Sequence, residues 1–441
     1  MSTHPALAIG QEHAVSNTVK LYFWAALVLL IAESVGSVSI PLGPGKLVLL
    51  PMIWALLLGA AVGLASHRMP AALAVSRAAQ VRSAAILQYA LLVFIAKLGL
   101  VVGGSLPTVI AAGWALAFQE LGHFVGTIML GLPVALLLGI KREAVGATFS
   151  VGREPSLAII GERYGMDSPE GRGVLAEYLT GTLIGAVFMA VVAGFIASLN
   201  IFHPYSLAMG AGIGSGSIMA AAAGAVAAQQ TPEVAKEVMA LAAAANLITT
   251  TLGTYFTLFI SLPLAVWGYR VLEPLIGRTT KASFASSAVS ENVVDEPVHL
   301  GWAARFSAWL AAGALALLAN YVASQTLSVA AFTGAAVMIM AAFAGELLCQ
   351  LLRRKVPAVC WVSLVAMFLT SPWCPLAPQI TEAANAVGIM AVITPMLAFA
   401  GLSIAKDIPA FRRLGWRIVV VSLTAGFGTF IGAVCIAELF H

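Results

Sequence analysis

The sequence predicts an all-α polytopic membrane protein, and three observations carry that prediction. Apolar residues make up 60% of the 441 and charged residues only 10%, with a mean hydropathy of +0.96. Apolar runs of about 18 to 27 residues recur along the chain, the length at which a helix crosses a hydrocarbon core of roughly 30 Å. Two further stretches, 144–165 and 205–229, are apolar but interrupted by glycine, proline or charge, and do not read as plain spans. By length alone two or three soluble domains are expected, but this composition makes the bilayer the solvent.

Eleven runs fall at about 21–40, 47–66, 84–103, 113–139, 173–199, 232–271, 302–324, 328–352, 356–371, 383–404 and 415–439. The first 19 residues are polar and the first run has no small-residue cleavage site, so a retained helix is expected from Leu21. The sixth run is too long for one crossing, and Pro263 is placed to bend it. Cys349, Cys360, Cys374 and Cys435 make no CxxC or metal spacing and are expected to pack.

The net charge of +4 comes from scattered loop residues with no long basic run, which excludes nucleic acid as a partner and leaves the charge to be read as topology. Every second loop is basic: Arg68, Arg77 and Arg82; Lys141 and Arg142; Arg278 and Lys281; Arg353, Arg354 and Lys355; Lys406, Arg412 and Arg413. The alternate loops carry almost no Lys or Arg. The pattern puts the N-terminus in the cytoplasm and the C-terminus in the periplasm of a bacterial inner membrane. It holds only if the two interrupted stretches enter and leave by one face, as re-entrant hairpins dipping from opposite sides. Full crossings would turn the loop holding Arg163 and Arg172 outward, against the rule.

The chain also matches itself at a shift of 302. Gly99, Leu100, Pro107, Gly113 and Trp114 meet Gly401, Leu402, Pro409, Gly415 and Trp416, and Gly126-Thr127 meets Gly428-Thr429. The loop 103–112 has no basic residue whereas its mate has three, so the copies are predicted to be inverted. At a shift of 63, Ser168-Pro169-Glu170 meets Thr231-Pro232-Glu233, each a helix start with a capping hydroxyl, a first-turn proline and an acid at the positive dipole end. Four regions follow: 1–139, an N-terminal tail and first scaffold repeat; 140–275, a hairpin-bearing transport core; 276–301, a polar cytoplasmic loop; and 302–441, a seventh span with the inverted second repeat.

An inverted repeat with a broken segment in each half is the signature of an alternating-access transporter whose site lies where the broken segments meet. In the first hairpin Ser150, Gly152, Arg153 and Glu154 offer backbone amides and a cation to an anionic substrate. A cytosolic loop ion pair between Arg153 and Glu154 is the competing reading. In the second, Gly212, Gly214, Ser215, Gly216 and Ser217 let backbone approach a ligand closely, against which stands simple small-residue packing. Glu120 and His123, three apart on one helix face, are candidates for proton or cation coupling, or for a plain interhelical hydrogen bond. Only one Glu-x-x-His occurs, so a two-metal site is unsupported. Glu177 stands near the inner interface as a further coupling candidate. Asn246, Thr249, Thr250 and Thr251 lie in a polar band whose oxygens suit Na⁺, unless the threonines bond their own backbone. Glu33, Lys97 and Glu346 are embedded charges with no assigned partner.

With this architecture the chain resembles bacterial secondary transporters of the 2-hydroxycarboxylate, glutamate and 2-keto-3-deoxygluconate permease kind, in the ion transporter and cation:proton antiporter set. Those carriers have a Gly-Gly-x-Gly element in each hairpin, where this chain reads "SVGREP" and "GIGSGS". A domain-of-unknown-function family of bacterial membrane proteins is the closer candidate, and implies no substrate. The resemblance implies a secondary transporter of a small organic anion coupled to H⁺ or Na⁺, with no other cofactor, and a homodimer built on the scaffold. Export or antiport of a small metabolite is the nearest alternative and a channel a further one. No convergent nucleophile or metal set supports an intramembrane enzyme.

Overall fold

The computed structural model describes residues 5–42, 45–151, 154–165, 168–251, 253–278, 300–353, 358–406, 408 and 415–440. Helix α1 (Pro5–Val35) starts well before the expected Leu21, with its apolar part at Asn17–Val35. It stops at Gly36, whose φ of +71° suits glycine and ends the right-handed turn. A two-stranded antiparallel hairpin follows, β1 (Val38–Leu42) and β2 (Gly45–Leu49), with Val38 opposite Leu49. This corrects the expected helical runs 21–40 and 47–66 at their facing ends. β-Branched Val38, Ile40 and Val48 favour strand, and Pro41 cannot continue a helix.

Helix α2 (Pro51–Ala65) then starts on its own proline. It is followed by α3 (Arg77–Gly104), capped by the Ser76 hydroxyl, short α4 (Leu106–Ala111) and α5 (Gly113–Leu137). The middle of the chain forms α6 (Glu143–Thr148), α7 (Glu154–Tyr164), α8 (Pro169–Thr180), α9 (Ala186–Ser198), α10 (Pro204–Ala211), α11 (Gly216–Ala227), α12 (Pro232–Thr251), α13 (Gly253–Phe256) and α14 (Leu262–Ile276). Two π turns interrupt it, Gly181–Gly185 between α8 and α9 and Thr257–Ser261 ahead of α14. The C-terminal part is α15 (Trp302–Ser324), α16 (Val329–Leu351), α17 (Ala358–Thr370), α18 (Ala377–Asn385), α19 (Ile389–Ile404) and α20 (Trp416–Glu438).

Among the described residues eight helices are long and apolar enough to cross a membrane, and a ninth is made if α18 and α19, bent by 60°, count as one. The protein is a multi-pass, all-α membrane protein. The shortfall from eleven lies in α2 and α17, which at 15 and 13 residues fall below the roughly 20 that a full span needs.

Packing follows a regular exchange. Helix α2 lies on α19, where Gly59 abuts Ala398 and Gly401; α17 lies on α3, where Gly99 and Gly103 abut Ala366 and Met367. Helix α1 packs on α2 and α19, as α16 packs on α17 and α3. Hydrogen bonds add to this packing, Ser83 Oγ of α3 donating to Phe399 O of α19 at 2.8 Å and Thr370 Oγ1 of α17 to Leu100 O of α3 at 2.8 Å. The most extensive contact joins α5 and α20, antiparallel and in backbone contact at Gly122 with Gly432 and at Gly126 with Gly428. Phe118 stacks on Phe440 at one end of this crossing, and Gly131 meets Ala425 toward the other.

Two embedded charges acquire partners. Glu346 on α16 pairs with Arg305 on α15 at 2.7 Å, and Arg305 also lies over the rings of Tyr89 and Trp302. Lys97, 2% exposed, donates to Ala384 O near the end of α18.

Candidate functional site

The site is built by two broken segments. Helix α6 begins six residues after α5 ends, and α7 leads directly to the N-terminus of α8. Gly146 and Gly173 let α6 and α8 touch backbone to backbone, since a Cβ on either would run into a carbonyl oxygen of the other helix. Crossed ion pairs close that contact, Arg142 to Glu170 at 2.5 Å and Arg172 to Glu143 at 3.0 Å. The Ser168 hydroxyl caps α8 by accepting from Gly171 N at 2.9 Å, as its sequence predicts. Lys141 pairs with Glu273 at 2.6 Å, and that hydrogen bond holds the ammonium above the usual lysine range. The first segment thus leaves and rejoins the bundle at the end where α5 finishes.

The second segment occupies the other end. His203 N, at the start of α10, donates to the Glu438 carboxylate at 3.1 and 3.2 Å, which ties it to the last turn of α20. Helix α11 runs in the same sense as α9: Gly185 lies against Ile218, Gly194 lies against Ala225, and Gln229 Nε2 donates to Gly194 O at 2.6 Å. It therefore ends where α10 began. Because α5 and α20 are antiparallel, the two segments enter from opposite ends of the bundle.

Their tips meet in the middle. A cavity of about 20 Å³ is lined by Ser150 and Val151 from the first tip and by Ile213 and Gly214 from the second. His123 and Thr127 of α5, Thr249 of α12, Thr257 of the π turn and Thr429 of α20 complete its polar wall. That volume holds one water or one small ion. Gly214 has φ +65°, a conformation glycine supplies without strain. Asn246 Nδ2 holds the turn by donating to Gly212 O at 2.9 Å and Gly214 O at 3.3 Å. Ser261, in the same π turn as Thr257, donates to Phe149 O beneath the first tip, and π turns recur at functional sites for this kind of local re-aiming.

Glu120 stands just behind the cavity. Its Oε1 contacts the Thr249 hydroxyl, accepts from Gln119 Nε2 at 3.2 Å and lies 4.0 Å from His123 Nε2. Residues Glu120, His123 and Asn246 are at most 3% exposed, so all three are held deep in the protein.

Of the residues singled out in the sequence, Ser150, His123, Gly214 and Thr249 line the cavity, while Glu120, Gly212 and Asn246 support it. The glycine run divides. Gly212 packs tightly on Ala245 of α12 and Gly216 against Leu91 of α3, which is the small-residue packing weighed against a ligand role. Ser215 and Ser217 bond each other at 3.0 Å away from the cavity. Glu177 is buried on α8 and is not part of the cavity wall. Gly152 and Arg153 lie outside the described residues; Glu154 opens α7 and Thr250 belongs to α12. Thr127 and Thr429 were legible only as repeat mates, not as site residues. Among the described residues no group of three or more His, Cys, Asp or Glu is placed to hold a metal ion.

The chain belongs to the family described as protein of unknown function (DUF3100), which matches residues 30–271, just over half its length. The match covers both broken segments and the first scaffold helices. It agrees with the uncharacterised membrane family expected from the sequence, and the 2-hydroxycarboxylate carriers and their relatives are not supported. No curated protein and no solved structure matches the chain.

Proposed function

We propose that this member of the DUF3100 family is a secondary active transporter of the bacterial inner membrane, moving a small organic anion of carboxylate type together with H⁺ or Na⁺ by alternating access. The observation that carries the reading is the meeting of two broken segments, entering from opposite ends, at one buried polar cavity. Backbone freed from helical hydrogen bonding is tolerated at membrane depth where protein or a cavity covers it, and such turns are where transporters place their ligands.

The inverted repeat supports the same reading. Thr127 and Thr429, 302 residues apart, hydrogen-bond to each other, and Gly126 meets Gly428 at the same shift. The exchange of α2 on α19 for α17 on α3 is what a two-fold axis in the membrane plane would produce. In this arrangement α1 to α5 and α16 to α20 form a scaffold, which also offers the lipid bilayer and a second copy of the chain their contact faces. The basic loops put the N-terminus in the cytoplasm and the C-terminus in the periplasm.

A cavity of about 20 Å³ is too small for an organic anion, so we assign this conformation to the closed point of the cycle. Opening on either side then requires one tip to part from the other. Counterflow of labelled carboxylates into liposomes holding the purified protein tests the proposal. Wild type should show counterflow for at least one carboxylate. Gly214→Val, which forces a β-branched side chain to φ +65°, should lose it while inserting normally. Leakage without counterflow, or full activity in Gly214→Val, would speak against the assignment.

A further inference from the structure

Hydrogen-bond accounting around the cavity shows more oxygen contacts than protons. Thr127 Oγ1 is bonded to His123 O, Thr429 Oγ1 to Ala425 O at 3.0 Å, and the two hydroxyls are bonded to each other. Two hydroxyl protons serve three contacts there. Thr249 Oγ1 is likewise placed against both Ala245 O, at 2.7 Å, and Glu120 Oε1, with one proton to give. Threonines in membrane helices commonly donate back to the fourth preceding carbonyl. Once they do, their lone pairs face whatever lies beside them.

Here they face one another and a shared cavity. From the opposite wall come the Ser150 hydroxyl, itself accepting from Ser156 Oγ at 2.8 Å, and the turn at Gly214. These oxygens stand among the apolar Phe124, Val151 and Ile213 and beside His123, one contact from the Glu120 carboxyl group, around the volume of a single water. Oxygen ligands of this kind suit a hard cation stripped of its water.

We propose that the central cavity is a binding site for one dehydrated Na⁺, liganded by the hydroxyls of Thr127, Thr249 and Thr429 with Ser150 from the first tip. The ligands come from the first tip, from α12 and from both repeat mates, with Gly214 of the second tip lining the same cavity, so the ion ties the first tip to α5, α12 and α20 and stabilises the closed conformation. This rests on the transporter reading only in naming the ion as the coupling ion; the site itself stands on the cavity and its oxygens.

Thermal unfolding of the full-length protein in lipid nanodiscs, titrated with NaCl against choline chloride at constant ionic strength, tests the site. Na⁺ should raise the melting temperature saturably and choline should not. Thr429→Val keeps shape but removes one ligand oxygen, and should raise the half-saturating Na⁺ concentration by about tenfold or more, as loss of metal-site contacts commonly does. Thr429→Ser, which restores the oxygen, should recover most of the response. If Thr429→Val does not fold, Ser150→Ala is read in its place, and binding of radioactive Na⁺ to the wild type is measured directly. Equal melting curves in the two salts, a pH response with no Na⁺ response, or an unchanged half-saturation in the folded variant would each overturn the site. Counterflow without a Na⁺ response would remove the cation site and leave the transporter. A Na⁺ response without counterflow would leave the site and remove the transporter.

Discussion

Replacing Gly126 with valine is expected to abolish most of the folded protein, the largest effect of any single change in the scaffold. At this crossing a Cβ on Gly126 runs into the Gly428 carbonyl oxygen, and one on Gly428 runs into the carbonyl of Gly126. Neither is the soft end of a side chain, so the helices themselves must separate. Overpacking a tight contact costs typically 1 to 3 kcal/mol and more where backbone must move, a large part of the roughly 5 to 15 kcal/mol that holds a protein folded. Helix association in lipid depends on such close approach, because burial of apolar surface gives little drive there. The measurement is the monodisperse fraction on fluorescence-detected size exclusion, with melting temperature for whatever survives. Gly113→Ala is the control: a Cβ there meets nothing within 4 Å, and no change is expected. Normal recovery of Gly126→Val would mean that α5 and α20 do not pack as described.

The second large effect is expected at Arg305, where methionine should lower stability by about 3 to 5 kcal/mol by leaving the Glu346 carboxylate buried opposite an apolar side chain. Both side chains are under 10% exposed, and the 2.7 Å contact is supported by Gln350 Nε2 donating to Glu346 at 2.9 Å. Removing both charges with Arg305→Met and Glu346→Leu should recover most of that loss, since an apolar pair of similar volume is often neutral or better. Thermal unfolding of the three variants checks this. Additive losses in the double variant would mean that the two residues act separately.

How much of this was legible in the sequence varies with the physics of each element. Each of the eleven predicted runs contains at least one described helix because apolar composition is a strong signal. The β hairpin after Gly36 was missed because Val38, Ile40 and Val48 are as apolar as a span, and only Gly36 and Pro41 mark the break. Among the residues that line the cavity, Ser150 and Gly214 were singled out because glycine and proline interrupt an apolar run, which a sequence displays directly. Thr127, Thr257 and Thr429 were not, since a single threonine in a membrane helix is unremarkable until the fold brings several together. The π turn that presents Thr257 has no composition of its own. Glu346 lacked a partner in the sequence because Arg305 is 41 residues away, and only the packing of α15 on α16 joins them.

Alternating access, as proposed, requires one cavity reached in turn from the two sides of the membrane. A single cysteine at Val151, which lines the cavity without a proposed ligand role, in a background with Cys349, Cys360, Cys374 and Cys435 replaced, allows this to be measured with an impermeant maleimide on right-side-out and inside-out vesicles. Labelling from both sides is expected, with a gradient of coupling ion speeding reaction from one side as it slows reaction from the other. Labelling confined to one side under every gradient, or rates that rise and fall together as in an open pore, would contradict it.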